Sequence, residues 1–304
     1  MAAELEIGES PRFLAGSVGD LEVTCYRDGT VTDPASAGTV TVTDGDGTVL
    51  SSGAATIVGG STGRLRYTPT AAAMASVNRL TVTWASVVLG TDPAITLTTH
   101  AELVGQLLFT EAEARTFGDG TLANTTTYPD EAIRQAHDRL LDDFENIVGY
   151  PLGRRWRQEE FTGDGYSRFR LTIPELRSVR AAIWRDPGSS TWTSFTPAEL
   201  ADIAIVRRWG VIERESLGVF TDARRFRVSV EAGRDIPVPL RRAALVVLRN
   251  TLVPSNISAR ALFENNAAGQ FRLAVADANV SGRWYGLPEA DAALARYRAG
   301  GGFW

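Results

Sequence analysis

The sequence predicts a multidomain protein in which an all-β sandwich of immunoglobulin-like type precedes an α+β domain with a helical core and a β insertion. Three observations carry this prediction. Short runs in the first 104 residues alternate polar and apolar side chains, residues 127–151 form an amphipathic helix, and residues 237–253 form a helix that is apolar almost all round. We therefore expect a β-sandwich domain at 1–104, a connector at 105–128, a core domain at 129–253, and a C-terminal arm with a short helix at 254–304.

The first segment has the alternation and the turn spacing of a β-sandwich. About seven short runs in about 100 residues alternate at a period of two, and Gly, Ser, Asp and Pro separate them. The clearest runs are at 21–27, 39–43, 48–50, 65–68, 80–84 and 95–100. The Cys-Trp-Cys spacing of true immunoglobulin domains is absent, so the prediction concerns the architecture alone. Cys25, the single cysteine, alternates with Val23 and is predicted to be a small core residue.

The helix predicted at 127–151 is the best-formed amphipathic segment of the chain. Spacings of three and four residues put these apolar side chains on one face: Ile133, Ala136, Leu140, Phe144, Ile147 and Val148. Thr127, with Asp130 three residues on, predicts an approximate capping box, and Gly149 predicts a left-handed residue after the last turn. His137 is assigned to the polar side of this helix.

The segments around this helix are shorter and more irregular. A helical turn capped by Thr110 and a polar loop at 119–127 precede it, and strands are predicted near 151–160, 168–173, 178–185, 203–207, 211–214 and 226–232. The wide apolar face of helix 237–253 predicts burial on two sides. A last short helix is expected at 288–297, before a run of glycines that ends in Phe303 and Trp304.

Composition and charge are those of a folded, soluble protein. The hydrophobic share is 44%, the charged share is 22%, and the formal net charge of -5 gives no gross attraction to nucleic acid. All 31 basic residues are arginine, and residues 1–104 hold eleven acids and five arginines, a net charge of -6. No signal peptide and no run long enough to span a membrane is recognised. We expect a protein that is made and kept in a cytoplasm, or in a particle assembled there.

The residues able to carry chemistry do not form a recognisable set. His100 and His137 lack neighbours at metal-ligand spacing. The Asp44-Gly-Asp46-Gly stretch lacks the third acid and the bidentate Glu of a calcium loop, so a type I′ hairpin turn is the better interpretation. Gly163-Asp-Gly is read as a turn, because no lysine follows to make a phosphate loop. We therefore expect no enzymatic activity, no cofactor and no metal.

Adjacent arginine pairs are the remaining polar feature. They occur at 154–155, 207–208, 224–225 and 241–242. The simpler interpretation is a set of solvated faces and ion pairs with local acids. The alternative is that some pairs face a phosphate backbone or a partner's carboxylate.

Three stretches from about residue 107 onward resemble the head–tail adaptor proteins of long-tailed double-stranded DNA phages, the connector subunits that sit beneath the portal. The first is Phe109-Thr-Glu-Ala-Glu-Ala-Arg-Thr-Phe, followed by Tyr128-Pro-Asp-Glu-Ala-Ile-Arg-Gln-Ala and closing at Ile147-Val-Gly-Tyr-Pro-Leu. The second is Ile236-Pro-Val-Pro-Leu-Arg-Arg-Ala, and the third is Gly286-Leu-Pro-Glu-Ala-Asp-Ala-Ala-Leu-Ala-Arg-Tyr-Arg. The resemblance covers roughly two-thirds of the chain. It leaves out the N-terminal β domain, which we interpret as an addition or an insertion of a common phage type.

The resemblance implies a structural virion protein of the phage neck, at the head–tail junction and without catalysis. It implies a homo-oligomeric ring of twelve subunits on the portal protein, a stopper or tail protein below, and packaged DNA crossing the channel without sequence-specific contact. The alternatives are a stopper or tail-completion protein of the same neck, or a surface-binding module carried by the N-terminal β domain. No membrane contact is expected, and assembly is expected in the bacterial host cytoplasm.

Partner-docking residues are predicted at Trp284, Tyr285, Phe303, Trp304 and Leu248. Large aromatic side chains dominate the energetics of interfaces, and the glycines before Phe303 form a flexible tether. The segment from about residue 254 is therefore predicted to be an arm that is ordered against the portal or a neighbouring subunit. In the simpler alternative, Phe303 and Trp304 lie on the protein's own surface.

Overall fold

The computed structural model describes residues 11–59, 63–90, 92–216, 218–253 and 284–298, and the backbone of 3–5, 265–266 and 269–270. Its contacts divide the chain into two compact units. The first, here called the β unit, is Met1–Gln106 with Gly153–Arg234, and the second, the helical unit, is Leu107–Leu152 with Asp235–Trp304. The predicted segment 129–253 is thus shared between the units, because its strands group with the N-terminal sandwich and its two long helices group together.

The helices lie mostly in the second unit. In chain order they are α1 (Glu111–Thr116), α2 (Asp130–Val148), α3 (Pro197–Ala201), α4 (Val238–Leu252) and α5 (Pro288–Tyr297). A 3-10 turn at Arg207–Trp209 lies in the β unit. No helix in the described part of the chain has the length and apolar composition needed to cross a membrane.

The N-terminal strands form two sheets. They are β1 (Ala3–Leu5), β2 (Arg12–Leu14), β3 (Leu21–Arg27), β4 (Thr30–Val31), β5 (Pro34–Ser36), β6 (Thr39–Thr43), β7 (Val49–Ala54), β8 (Thr56–Ile57), β9 (Arg64–Tyr67), β10 (Asn78–Leu89) and β11 (Ile95–Val104). One sheet has the order β1-β3-β9-β8, with β4 on β3, and the other has the order β2-β11-β10-β6-β7, with β5 on β10.

A single apolar core lies between these two sheets. Alternate side chains of β3 and β9 meet alternate side chains of β6, β10 and β11 in one buried cluster. Trp84 is fully buried there, and its indole N–H donates to Oγ1 of Thr99 with an Nε1···Oγ1 distance of 3.1 Å. Cys25 is also fully buried, which confirms its predicted core position. The all-β architecture is confirmed, and the immunoglobulin-like type stays a prediction.

The hairpin turn between β6 and β7 is present but is not of type I′. The backbone N–H of Gly47 donates to the carbonyl oxygen of Asp44. Gly47 has a φ of +90°, whereas Asp44, Gly45 and Asp46 do not have positive φ values. A type I′ turn needs positive φ at both central residues, so the predicted turn is right in position and wrong in type.

The strands after α2 build a second β region in the same unit. They are β12 (Arg155–Thr162), β13 (Arg168–Arg170), β14 (Leu176–Arg185), β15 (Thr193–Ser194), β16 (Ile203–Val206), β17 (Val211–Arg214) and β18 (Arg225–Ala232). One sheet has the order β12-β18-β14-β15 and the other has the order β13-β17-β16. Phenylalanines dominate the core of this region, which includes Phe161, Phe169, Phe195, Phe220 and Phe226.

The helical unit packs α1, α2, α4 and α5 around one core. Thr110 caps α1, as predicted, and the structure adds a full capping box with Glu113. Gly149 ends α2 with a φ of +80°, also as predicted. The predicted cap of α2 at Thr127 is wrong, because Pro129 occupies the N-cap position and no side chain caps this helix. The amide of Thr127 instead donates to Oδ1 of Asn124, with an N···O distance of 3.1 Å, inside the preceding loop.

The closing helix α5 belongs to the helical core. Leu287, Ala290 and Leu294 are buried in the same cluster as the apolar faces of α2 and α4. The predicted arm therefore does not include residues 284–298, whose apolar side chains have partners within the unit. A two-residue pairing joins β19 (Asn265–Asn266) to β20 (Gly269–Gln270), and the other residues of 254–283 lie outside the described part of the chain.

Candidate functional site

The two histidines do not form a metal site. Within the described residues, no group of three or more His, Cys, Asp or Glu side chains has the geometry to hold a metal ion. His137 is buried rather than exposed, so its predicted place on the polar side of α2 is wrong. Its Nε2 accepts the amide of Leu108 at 3.1 Å, and its Nδ1 lies 3.0 Å from Oδ1 of Asp138. Because Nε2 accepts, Nδ1 carries the proton, and this neutral imidazole anchors the segment before α1.

The carboxylates of the Asp44–Gly47 turn are used in hydrogen bonds. Oδ1 of Asp44 accepts the amides of Asp46 and Thr48 at 3.0 and 2.7 Å. Oδ1 of Asp46 accepts the hydroxyl of Ser229 at 2.5 Å. The turn therefore connects the sandwich to β18, 183 residues further along the chain.

A tryptophan supports the same turn from the second β region. Trp156 of β12 is buried, and a Cβ built on Gly45 would lie 2.4 Å from its ring. Only glycine permits this close approach, so Gly45 and Trp156 fix how the hairpin lies on β12. Arg180 adds a second connection by donating to the carbonyl oxygen of Val77 at 2.5 Å.

A cluster of charged side chains joins the same two regions of the β unit. Arg157 Nη1 lies 2.9 Å from Oε1 of Glu102, and Arg12 Nε and Arg155 Nη1 lie 3.3 and 3.7 Å from its Oε2. Burial opposes ionisation of Glu102, but the three guanidinium groups prevail and hold its pKa below the ordinary value. Arg155 is almost fully buried, so Glu102 neutralises a charge that water does not reach.

Tyr285, one of the predicted docking residues, packs on its own helical unit. Its ring centroid lies 5.8 Å from that of Phe144, and its hydroxyl donates to Oδ2 of Asp143 at 3.2 Å. Burial, followed by the nearby Asp143 carboxylate, raises the pKa of its hydroxyl. Oδ1 of Asp291 accepts the amides of both Trp284 and Tyr285, at 3.0 and 2.9 Å, and fixes this turn on α5.

The other predicted docking residues differ in how far they are buried. Leu248 is fully buried in the helical core, so it is a packing residue and does not offer a docking surface. Trp284 is half-buried, with the Arg298 guanidinium 5.9 Å from its ring centroid. Phe303 and Trp304 lie outside the described residues.

A groove on the helical unit is the candidate docking surface that the sequence did not reveal. It has a volume of about 450 Å³ and is lined by Phe117, Arg242, Val246, Arg249, Asn250, Val253 and Glu289. Most of these residues follow one outer face of α4, at spacings of three and four. Three apolar side chains line the groove beside four polar or charged ones, and Arg242 pairs with Glu289 at 2.5 Å.

The stretches that carry the family resemblance meet in this unit. The first stretch forms α1 and both ends of α2, the second opens α4, and the third forms α5. Their apolar residues share one core, although they are separated by long stretches of sequence.

Most arginines of the adjacent pairs form an ion pair with a carboxylate or a hydrogen bond to a carbonyl oxygen. Arg224 Nε lies 2.8 Å from Oδ1 of Asp186, and Arg241 Nη2 lies 2.6 Å from Oε1 of Glu113. The pair at 207–208 differs, because both side chains are exposed and the neighbouring Trp209 is half exposed. Sequence analysis missed Trp209, whose position after two arginines at a hairpin tip was the available signal.

The known proteins that are similar to this chain come from solved structures. No protein-family model matches this chain, and no curated protein sequence matches it. A chain in a solved structure of the neck of an empty GTA particle, computed with C6 symmetry, is 16% identical with a TM-score of 0.40, over 62% of this chain and 88% of that chain. A chain in the virion of a native gene transfer agent particle has the same identity and TM-score, over 62% of this chain and 86% of that chain. A TM-score of 0.40 does not establish a common fold, so the residues of this chain carry the functional argument.

Proposed function

We propose that this chain is a structural protein of a phage neck, a head–tail adaptor that forms a ring beneath the portal around the DNA channel. The observation that carries the proposal is the convergence of the three adaptor-like stretches in one helical unit with a single core. These segments lie far apart in the sequence, yet they resemble one family and fold together. This is expected if the helical unit is the part of the chain that is shared with that family.

The use of the polar side chains supports a structural role. Three side chains of the described residues, of types often used in catalysis or metal binding, have structural places instead. His137 anchors the segment before α1, Asp46 joins two β regions, and Cys25 lies in a core where burial raises its pKa to about 11.

The groove along α4 is the surface that we assign to the portal. Its apolar side chains, Phe117, Val246 and Val253, suit an apolar side chain of the partner, and Arg249 suits a carboxylate beside it. The other partners in the proposal are neighbouring copies in a twelve-subunit ring, a stopper or tail protein below, and packaged DNA in the channel. The location is the head–tail junction of the virion, after assembly in the host cytoplasm.

The test is binding to the portal protein encoded by the same genome. The purified chain should co-elute with assembled portal, and Arg242→Glu/Arg249→Glu should weaken that binding about tenfold or more while the urea unfolding midpoint stays close to wild type. Arg139→Glu on the exposed side of α2 is the matched control and should bind normally. Absence of binding to portal, together with binding to a portal already carrying another adaptor, would identify the chain as a stopper and overturn the proposal.

A further inference from the structure

One edge of the N-terminal sandwich is built from a stretch of chain without charge or proline. No residue from 47 to 63 is charged, and none is a proline. This stretch contains β7 (Val49–Ala54) and β8 (Thr56–Ile57), each the last strand of its sheet. Proteins normally protect sheet edges with charges, prolines or very short strands, because free backbone groups otherwise pair with another chain. We call residues 49–57 the neutral edge.

The opposite edge of the same sheet is protected. It is formed by β2 (Arg12–Leu14), which is three residues long and follows Pro11. The carbonyl oxygen of Leu14 accepts the amide of Ser17 at 3.0 Å and its hydroxyl at 2.5 Å. Of the two edges of this sheet, the neutral edge is therefore the one that is open to another strand.

The hydrogen bonds of β7 show which of its backbone groups face outward. The amide of Ala55 donates to the carbonyl oxygen of Gly38 at 3.2 Å, and β7 runs antiparallel to β6 from there. Hydrogen-bonded and non-hydrogen-bonded pairs alternate in such a ladder, so the N–H and C=O groups of Ser52 and Ala54 point away from β6. Both residues are exposed, and no other hydrogen bond within the described part of the chain uses these four groups. A bulge at Leu50 ends the regular ladder toward the hairpin.

The core holds β7 firmly in place. The hydroxyl groups of Ser51 and Tyr67 lie 2.6 Å apart and are buried. A Cβ built on Gly53 would lie 3.1 Å from the Tyr67 ring, so the strand passes closely over that side chain. The outward backbone groups are therefore presented from a fixed strand, and ordering them on a partner costs little entropy.

The side chains of the neutral edge are nearly symmetric about Gly53. Val49 and Ile57 lie four residues to either side of it, and they are 59% and 43% exposed. The serines at 51 and 52 match the alanines at 55 and 54, so small side chains surround the centre. An antiparallel copy of the same stretch therefore brings apolar side chains together at both ends and small ones between them.

We propose that the neutral edge pairs with the neutral edge of a second copy of this chain, antiparallel and about a two-fold axis through Gly53. Ser52 of each copy then lies opposite Ala54 of the other, and these two pairs form four main-chain hydrogen bonds. The two Gly53 residues face each other where the strands approach most closely, and no side chain lies between them. Val49 lies beside Ile57 of the second copy, which covers the exposed apolar side chains.

This contact goes beyond the proposed ring and does not depend on it. Neighbours within a ring meet head to tail, whereas a two-fold contact uses the same surface of both copies. The neutral edge therefore joins a chain to a copy outside its own ring, and in the free protein it produces a dimer.

The test is the mass and the hydrogen exchange of the full chain, both measured without portal. Sedimentation equilibrium should give a dimer with a dissociation constant on the order of 10–100 µM, because so small a contact belongs to the weak interfaces. The amides of Ser52 and Ala54 should exchange fast in dilute protein and become protected above that concentration. Added salt should strengthen the dimer, since residues 1–104 of each copy carry a net charge of -6 and repel each other.

A lysine on the neutral edge separates this contact from a general effect of charge. Ser52→Lys should weaken the dimer about tenfold or more, because a lysine is a natural guard of sheet edges and the axis brings two of them together. Thr98→Lys is the matched control, since Thr98 is exposed and lies in one cross-strand row with Thr83, Thr41 and Ser52. It is three strands from the edge, about 14 Å away, and its dimer should stay within about twofold of wild type.

The remaining outcomes decide the inference in either direction. If Ser52→Lys unfolds, Val49→Asp serves in its place at a site that is 59% exposed, and it should weaken the dimer about tenfold. Loss of the dimer and of the protection of Ser52 and Ala54, with both retained in Thr98→Lys, supports the inference. Equal effects of the two lysine variants overturn it, and so does a dimer that salt weakens. Protection of these two amides in dilute monomer also overturns it, because the chain would then cover its own edge.

Discussion

Replacing Glu102 by Gln should destabilise the β unit by about 3 kcal/mol at pH 7. Its carboxylate lies within 3.7 Å of Arg12, Arg155 and Arg157, and the Arg155 side chain is 3% exposed. Removing one partner of a buried ion pair costs about 3–5 kcal/mol, because the remaining charge stays in a poorly solvated site. We expect the lower end, since Arg157 is 30% exposed and water screens part of its charge.

Urea unfolding monitored by tryptophan fluorescence measures this loss, because five of the seven tryptophans lie in the β unit. Glu22→Gln is the control. Glu22 pairs with the more exposed Arg64 and Arg66, so its removal should cost less than about 1 kcal/mol.

The pH dependence adds a second check on Glu102. Its pKa is lowered on folding, so its contribution to stability is present above the unfolded value of 4.5 and is lost as the pH falls through the folded value. The difference between wild type and Glu102→Gln should therefore shrink toward acid pH. A loss below 1 kcal/mol at pH 7, or a loss that does not change with pH, would refute the reasoning.

Three further outcomes follow from burial. Leu248→Ala should cost about 2–5 kcal/mol in helical-unit unfolding followed by circular dichroism, whereas Val238→Ala, at a site 74% exposed, should cost less than about 0.5 kcal/mol. A Leu248→Ala chain of unchanged stability would place this residue outside the core. Burial raises the pKa of the Cys25 thiol from 9.0 to about 11, so the thiol should resist disulfide reagents at pH 8 until the protein unfolds. The free energy of unfolding should fall as the pH rises from 9.0 to about 11, because the thiol of the unfolded chain loses its proton first. Rapid labelling of native protein would contradict that. Residues 1–104 alone should give a dispersed amide spectrum but unfold at lower urea than the full chain, because Asp46 loses Ser229 and Glu102 keeps only Arg12 of its three arginines. A spectrum without dispersion would show that the segment does not fold independently.

Elements fixed by local patterns were predictable from the sequence. The faces of α2 and α4, the Thr110 N-cap and the Gly149 C-cap depend on spacings within a few residues, and the structure contains all of them. The polarity of His137 predicts an exposed side chain, whereas its position on α2 predicts a buried one, and the position is the correct guide. It lies four residues after Ile133, on the buried face, where the amide of Leu108 supplies a hydrogen bond.

Long-range contacts were not predictable from the sequence. Nothing local indicates that Asp46 accepts a hydrogen bond from Ser229, or that Gly45 lies on Trp156. The strands after α2 therefore appeared to belong with the helices that flank them. The docking groove was missed for the same reason, since Phe117 and Glu289 approach α4 only in the folded unit.

The most direct test of the central claim is electron microscopy of the purified chain mixed with the portal ring of its own particle. The account predicts a second ring, coaxial with the portal and attached by the helical unit, with an open channel wide enough for duplex DNA. A portal ring that remains bare under conditions in which the chain is folded would contradict it.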